Sequence, residues 1–338
     1  MKPWKRRPNV RHLSWLTLTL VFVTAAAQAE PYRAPQTPSG APDLQGLWTN
    51  TALTFLQRPP IFKALIATEA EAAMMMAGFR QMTGAMLDPA PVDPNLPAPP
   101  VVKSAPNTDY IEMDLNLARI NGQMRSSWIV EPADGLIPFT EAGKKAERAA
   151  AKESYDGPEG RPLTERCLIA IGSPEGPPMM NTGFNGHYQI VQTPDHVAIS
   201  IEMNHDVRII RLGDRRHPPA AVRSWMGDSV GWYEGDTLVV ETTNLDPRSE
   251  VASLGGGFAY GLRTRITERF TRTSKSGLLY AFTVEDPDYF KQPWRGEMPM
   301  RTAKGPIYEY ACHEGNYSLP NALSGARVQE QEAAANGR

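Results

Sequence analysis

His196-Val197-Ala198-Ile199-Ser200-Ile201-Glu202-Met203 alternates apolar and polar side chains. A period of two puts Val197, Ile199, Ile201 and Met203 on one face of an extended chain and His196, Ser200 and Glu202 on the other. Val207 to Leu212 follows directly, and a single strand over both runs would be too long, so Asn204-His205-Asp206 reads as a three-residue turn. That turn pairs Met203 with Val207 and Ile201 with Ile209, which keeps the apolar residues together. Comparable segments recur at 187–193, 222–226, 230–233, 237–243, 264–272, 278–285, 294–300 and 307–312. Short links between strands require antiparallel neighbours. A meander of about ten strands removes its edges by closing, so the expected fold is mainly β, an antiparallel lipocalin-like or related barrel.

The first half of the chain differs in kind. Phe62 to Met82 is rich in Ala, Met and Glu, and Thr140 is placed to cap a second helix over Glu141 to Arg148. Between them lies 88–106, broken by Pro97, Pro99 and Pro100, which can be neither a helix nor a central strand. The expected organisation is a signal peptide over 1–29, a Pro-rich arm and helical segment over 30–165, the β domain over 166–320 and a flexible tail over 321–338. Gly255-Gly256-Gly257 has no helix behind it and reads as a flexible loop.

Lys5-Arg6-Arg7, the apolar run Leu13 to Ala27 and Ala27-Gln28-Ala29 have the order of an export signal with a small-x-small cleavage site. No later run is long and apolar enough to span a bilayer. The expected location is therefore periplasmic or secreted, with no membrane span. In such a compartment Cys167 and Cys312, the only two cysteines, are expected to form a disulfide. Five of the 35 basic residues precede residue 12 and no acid lies before Glu30, so the remaining chain is mildly acidic. That balance excludes a general nucleic-acid binder, which needs a basic surface.

Nucleophile elbows, zinc-protease, phosphate-loop and dinucleotide motifs are missing from the sequence. What remains is polar residues at strand ends. His205 in the turn is the expected acid–base residue, with Asp206 or Glu202 orienting it and Arg208 clamping a charged substrate at the barrel mouth. Asp228, His313, Glu314 and Trp225 are the further substrate-binding candidates. In the opposing arrangement Asp206 caps its own turn, Arg208 pairs with Glu202, and His205 is solvated. No cofactor is expected; a divalent metal would need His205, His313 and a carboxylate, whose spacing does not favour one.

Arg166-Cys167-Leu168, Trp225-Met226-Gly227-Asp228-Ser229, Glu234-Gly235-Asp236-Thr237-Leu238-Val239-Val240-Glu241-Thr242-Thr243-Asn244, Glu268-Arg269-Phe270 and Tyr308-Glu309-Tyr310-Ala311-Cys312-His313-Glu314-Gly315-Asn316-Tyr317 together resemble a large family of exported bacterial proteins. The resemblance implies export and a β-rich fold, and it assigns no activity. Two functions are expected from the residues alone. The first is an acid–base enzyme, a hydrolase or lyase for a small, partly apolar molecule. The alternative is a periplasmic binding or carrier protein whose pocket is lined by Trp225, Trp232, Tyr280, Phe282 and Trp294.

Overall fold

The computed structural model describes residues 1, 32–87, 114–150 and 154–337, so the export signal and the Pro-rich stretch 88–106 lie outside the described residues. In chain order the elements are β1 (Gly46–Thr49), α1 (Glu69–Leu87), β2 (Arg119–Ile120), β3 (Gln123–Met124), β4 (Ile129–Glu131) and α2 (Glu141–Ala150). Then come β5 (His187–Gln192), β6 (His196–Ile201), β7 (Val207–Leu212), β8 (Asp228–Glu234), β9 (Thr237–Thr243), β10 (Glu250–Ser253) and β11 (Gly256–Ala259). The chain ends with β12 (Arg265–Ser274), β13 (Gly277–Glu285), β14 (Trp294–Thr302) and α3 (Ser318–Asn336).

Nine strands close into a barrel in the order β1-β5-β6-β7-β8-β9-β12-β13-β14, with β1 returning to pair with β14 and β4 added outside β14. The expected closed β-barrel is thus present. Eight of its nine neighbour pairs are antiparallel; β7 and β8 run parallel. Parallel neighbours need a crossover, and residues 213–227 supply it, so 222–226 is part of a connection and not a strand. Asn244 holds that connection in place: its amide nitrogen lies 3.1, 3.2 and 3.0 Å from the carbonyl oxygens of Pro218, Pro219 and Val222. Gly227 closes the crossover at φ +67°, where a Cβ would lie 2.5 Å from the Thr243 carbonyl oxygen.

Two further segments depart from the sequence reading. Gly256 and Gly257 belong to the hairpin β10–β11 and not to a flexible loop. Residues 307–312 carry no strand; 303–317 forms an irregular strap, and Ser318–Asn336 is helical where a tail was expected.

The register of the β6–β7 hairpin also differs. Ser200 faces Val207 and Ile199 faces Arg208, so the turn spans Glu202 to Asp206 with Asn204 and His205 at positive φ. Relative to the expected pairing the register has slipped by an odd number of residues, and such a slip exchanges the faces of a strand. Val207 and Ile209 are left 45% and 51% exposed, while Arg208 is buried at 2%.

Inside the barrel sit Trp48, Tyr188, Phe270, Tyr280, Phe282, Trp294 and Met298. The Tyr280 and Phe282 rings meet at a tilt, 5.8 Å between centres, and Trp294 meets Phe282 edge-on. The segment 177–181 closes over them. Met179 donates its N–H to the Tyr280 hydroxyl at 2.8 Å, and the Tyr188 hydroxyl donates to the Met180 carbonyl at 3.1 Å. Tyr280, Phe282 and Trp294 are therefore core residues and not a ligand lining. α2 packs on β11, and Thr140 caps it as expected, its hydroxyl accepting the Gly143 N–H at 3.0 Å. The Cys167–Cys312 disulfide is formed, with Cα atoms 5.8 Å apart, and fixes the strap to the segment before β5.

Candidate active site

β5 and β6 form a hairpin in which Tyr188 faces Ile201, so the next pair outward is His187 and Glu202. The Glu202 N–H reaches the His187 carbonyl at 3.0 Å, and the side chains meet on the outer face of the wall. His187 Nδ1 lies 2.5 Å from Glu202 Oε2, while Glu202 Oε1 accepts the Tyr308 N–H at 3.1 Å and the Asn185 amide at 3.4 Å. The strap covers both side chains, and both residues are buried. Burial raises the Glu202 carboxyl, but the hydrogen bonds from His187 and the Tyr308 backbone outweigh it, so its pKa falls below the ordinary value. A carboxylate on Nδ1 fixes the imidazole tautomer and its orientation.

His187 forms part of the wall of a cavity of about 300 Å³ with Thr49, Thr51, Arg301, Thr302, Ala303 and Lys304. Arg301 donates to the Thr51 carbonyl and hydroxyl oxygens, both at 2.9 Å, and has no carboxylate partner among the described residues. A histidine oriented by a carboxylate, beside two cations, suits proton transfer on an anionic substrate.

The residues expected from the sequence are distributed differently. Glu202 is an orienting carboxylate, but its partner is His187 and not His205. His205 is exposed, its Nδ1 3.3 Å from the Tyr310 carbonyl oxygen, so the strap does meet the turn, through Tyr310 and not through His313. His313 and Glu314 are exposed on the strap. Asp206 is half-buried, and burial raises its carboxyl against the opposing charge of His205.

Arg208 points into the barrel, 2.9 and 2.6 Å from the two Glu268 oxygens, and so cannot clamp a substrate beside His205. Asp228 is bound by Arg211 and by His217 Nδ1, each at 2.7 Å, and His217 Nε2 lies 3.2 Å from Glu241. Both His217 nitrogens are thereby occupied, and the group pins the crossover to β8 and β9. Trp225 lies in the wall of a separate cavity of about 900 Å³. Among the described residues no group of three His, Cys, Asp or Glu side chains is arranged to hold a metal ion.

Sequence reasoning passed over His187, although the signal was present. Once Pro194-Asp195 is taken as the turn, Glu202 falls directly opposite His187.

Glu175 is a further titratable group out of water. Its Oε1 accepts the Ala170 N–H at 3.1 Å and its Oε2 has no partner. Burial pushes its pKa from 4.5 up to about 8. The folded chain therefore holds a proton that the unfolded chain releases, so the stability this carboxyl contributes is complete below pH 4.5 and is lost as the pH rises through 8. The slope is about 1.4 kcal/mol per pH unit. Glu175→Gln should gain about 2–3 kcal/mol relative to the unmodified protein between pH 6 and pH 8. Urea denaturation at the two pH values measures this; a difference independent of pH would contradict it.

Comparison with protein-family models, with curated proteins and with solved structures finds no match to this chain. No helix among the described residues is long and apolar enough to cross a membrane.

Proposed function

We propose that this protein is an exported acid–base enzyme, a hydrolase or lyase, acting on a small, partly apolar anion at the His187 cavity. The observation that carries the reading is the 2.5 Å contact between His187 Nδ1 and the buried Glu202 carboxylate, with His187 in a wall shared with Arg301 and Lys304. His187 takes a proton from a substrate carbon or from attacking water and returns it to the leaving group. Glu202 holds the imidazole orientation and offsets the positive charge that forms, while Arg301 stabilises the developing oxyanion. A periplasmic or secreted location is part of the proposal. The Cys167–Cys312 bridge supports it, since disulfides persist in oxidising compartments.

The test is a panel of small carboxylate-bearing esters, lactones and β-substituted acids. His187→Gln should reduce the turnover of any accepted substrate by at least ~10²-fold. Arg301→Gln should lower kcat, and His205→Gln should leave both kcat and KM unchanged. Full turnover by a folded His187→Gln protein would remove the proposal.

A further inference from the structure

The cavity of about 900 Å³ shares no lining residue with the His187 cavity. Its volume lies within the range of small-molecule sites, and its charges are unevenly matched. Arg161 in its wall is held at 2.9 and 2.8 Å by both oxygens of Glu165. Arg248 is held by Asp246 and lies over the Trp225 ring, 4.8 Å from its centre. Arg166, also in the wall, is half-buried and has no carboxylate partner among the described residues. A guanidinium cannot shed its charge, and it presents a planar fork that matches a carboxylate.

Much of the rest of the wall is apolar, although Glu159, Thr164 and Ser173 also line it. Leu163 and Ile169 line the cavity, and Ile171 opens onto it with half of its surface exposed to water. Glu250, also in the wall, has its carboxyl raised by burial and by the nearby Glu147.

We propose that this cavity is a second ligand site, which takes a small organic carboxylate: Arg166 grips the carboxylate while Leu163, Ile169, Ile171 and the edge of Trp225 cover an apolar body. The ligand satisfies the one unmatched cation of the wall and removes the Ile171 surface from water. Binding here is independent of proton transfer at His187.

Titration calorimetry with 1-naphthoate and its neutral analogue 1-naphthamide tests the proposal on the full chain. The unmodified protein should bind 1-naphthoate at least 10-fold more tightly than the amide, the scale of one charge-assisted hydrogen-bond pair. Arg166→Gln should abolish that preference and Arg166→Lys should keep part of it, since a point charge remains but the fork is lost. Ile171→Asp, a change at an exposed position that leaves Arg166 intact, should weaken 1-naphthoate by a similar factor and the amide less. Equal affinity for acid and amide, no binding of either at millimolar concentration, or undiminished 1-naphthoate binding by both Arg166→Gln and Ile171→Asp would overturn the assignment.

Discussion

Replacing Glu268 by Gln is expected to lower the unfolding free energy by about 3–5 kcal/mol, the cost of leaving a buried charge without its partner. Glu268 and Arg208 are both fully enclosed, at 0% and 1% side-chain exposure, and face each other across the barrel interior. Burial works against the charge on Arg208, and the attraction of Glu268 more than offsets it, so its pKa lies above the ordinary value. Tyr280 donates its hydroxyl to Glu268 at 2.8 Å, and Ser229 and Thr242 approach the guanidinium at 3.4 and 3.5 Å. Removing the carboxylate strands a cation that cannot neutralise itself.

The reverse replacement, Arg208→Met, should cost less, because a lone buried carboxyl can take up a proton. The double variant Arg208→Met/Glu268→Gln should recover most of the loss, since the amide oxygen still accepts from Tyr280 and no charge remains. Urea denaturation of the three variants measures the difference. A cost under 1 kcal/mol for Glu268→Gln alone would mean that water or a shifted side chain compensates Arg208.

Opening the disulfide should have an effect of similar size. The Cys167–Cys312 bridge closes a loop of 145 residues, for which the loss of unfolded-chain entropy gives roughly 4–5 kcal/mol. The bridge also holds a piece of the candidate site. The strap it anchors donates the Tyr308 N–H to Glu202 and contacts His205 through Tyr310, while Asn316 reaches the Glu165 carbonyl at 2.7 Å. The Cys167→Ser/Cys312→Ser variant should therefore unfold at much lower urea concentration, and the proposed His187 chemistry should weaken even where the barrel is intact. Far-UV circular dichroism and denaturation midpoints separate the two effects. A midpoint unchanged by reduction would show that neither the entropy nor the strap matters to stability.

The strands that alternate cleanly, such as β6 and β13, could be read directly from the sequence, because a half-buried strand imposes period two on its side chains. Closure followed from their number, and the disulfide from a lone cysteine pair. The parallel β7–β8 pair was hidden because nothing in 213–227 distinguishes a crossover from two turns and a short strand. Arg208 was read as a clamp at the barrel mouth for a different reason: in β7 the apolar residues Val207 and Ile209 face outward and the arginine faces inward to Glu268, against the usual partition. Only the distant Glu268, sixty positions along the chain, makes that arrangement affordable. The candidate site was half legible. Glu202 was named for its role, yet its partner depends on hairpin register, a property of two strands together and not of either alone.

The seam between β1 and β14 joins Thr49 to Arg301 and Trp48 to Thr302. These contacts span most of the chain, so the loop-closure entropy must be overcome before they reward it, and folding by this route is slow. Thr49, Arg301 and Thr302 are also walls of the His187 cavity. A chain that has paired β5 through β13 but not joined its ends has the histidine and its carboxylate without the cation that faces them. Ring closure thus acts as a completeness check: a truncated or half-folded copy holds an incomplete cavity, and the proposed chemistry would begin only in molecules whose first and last strands have met.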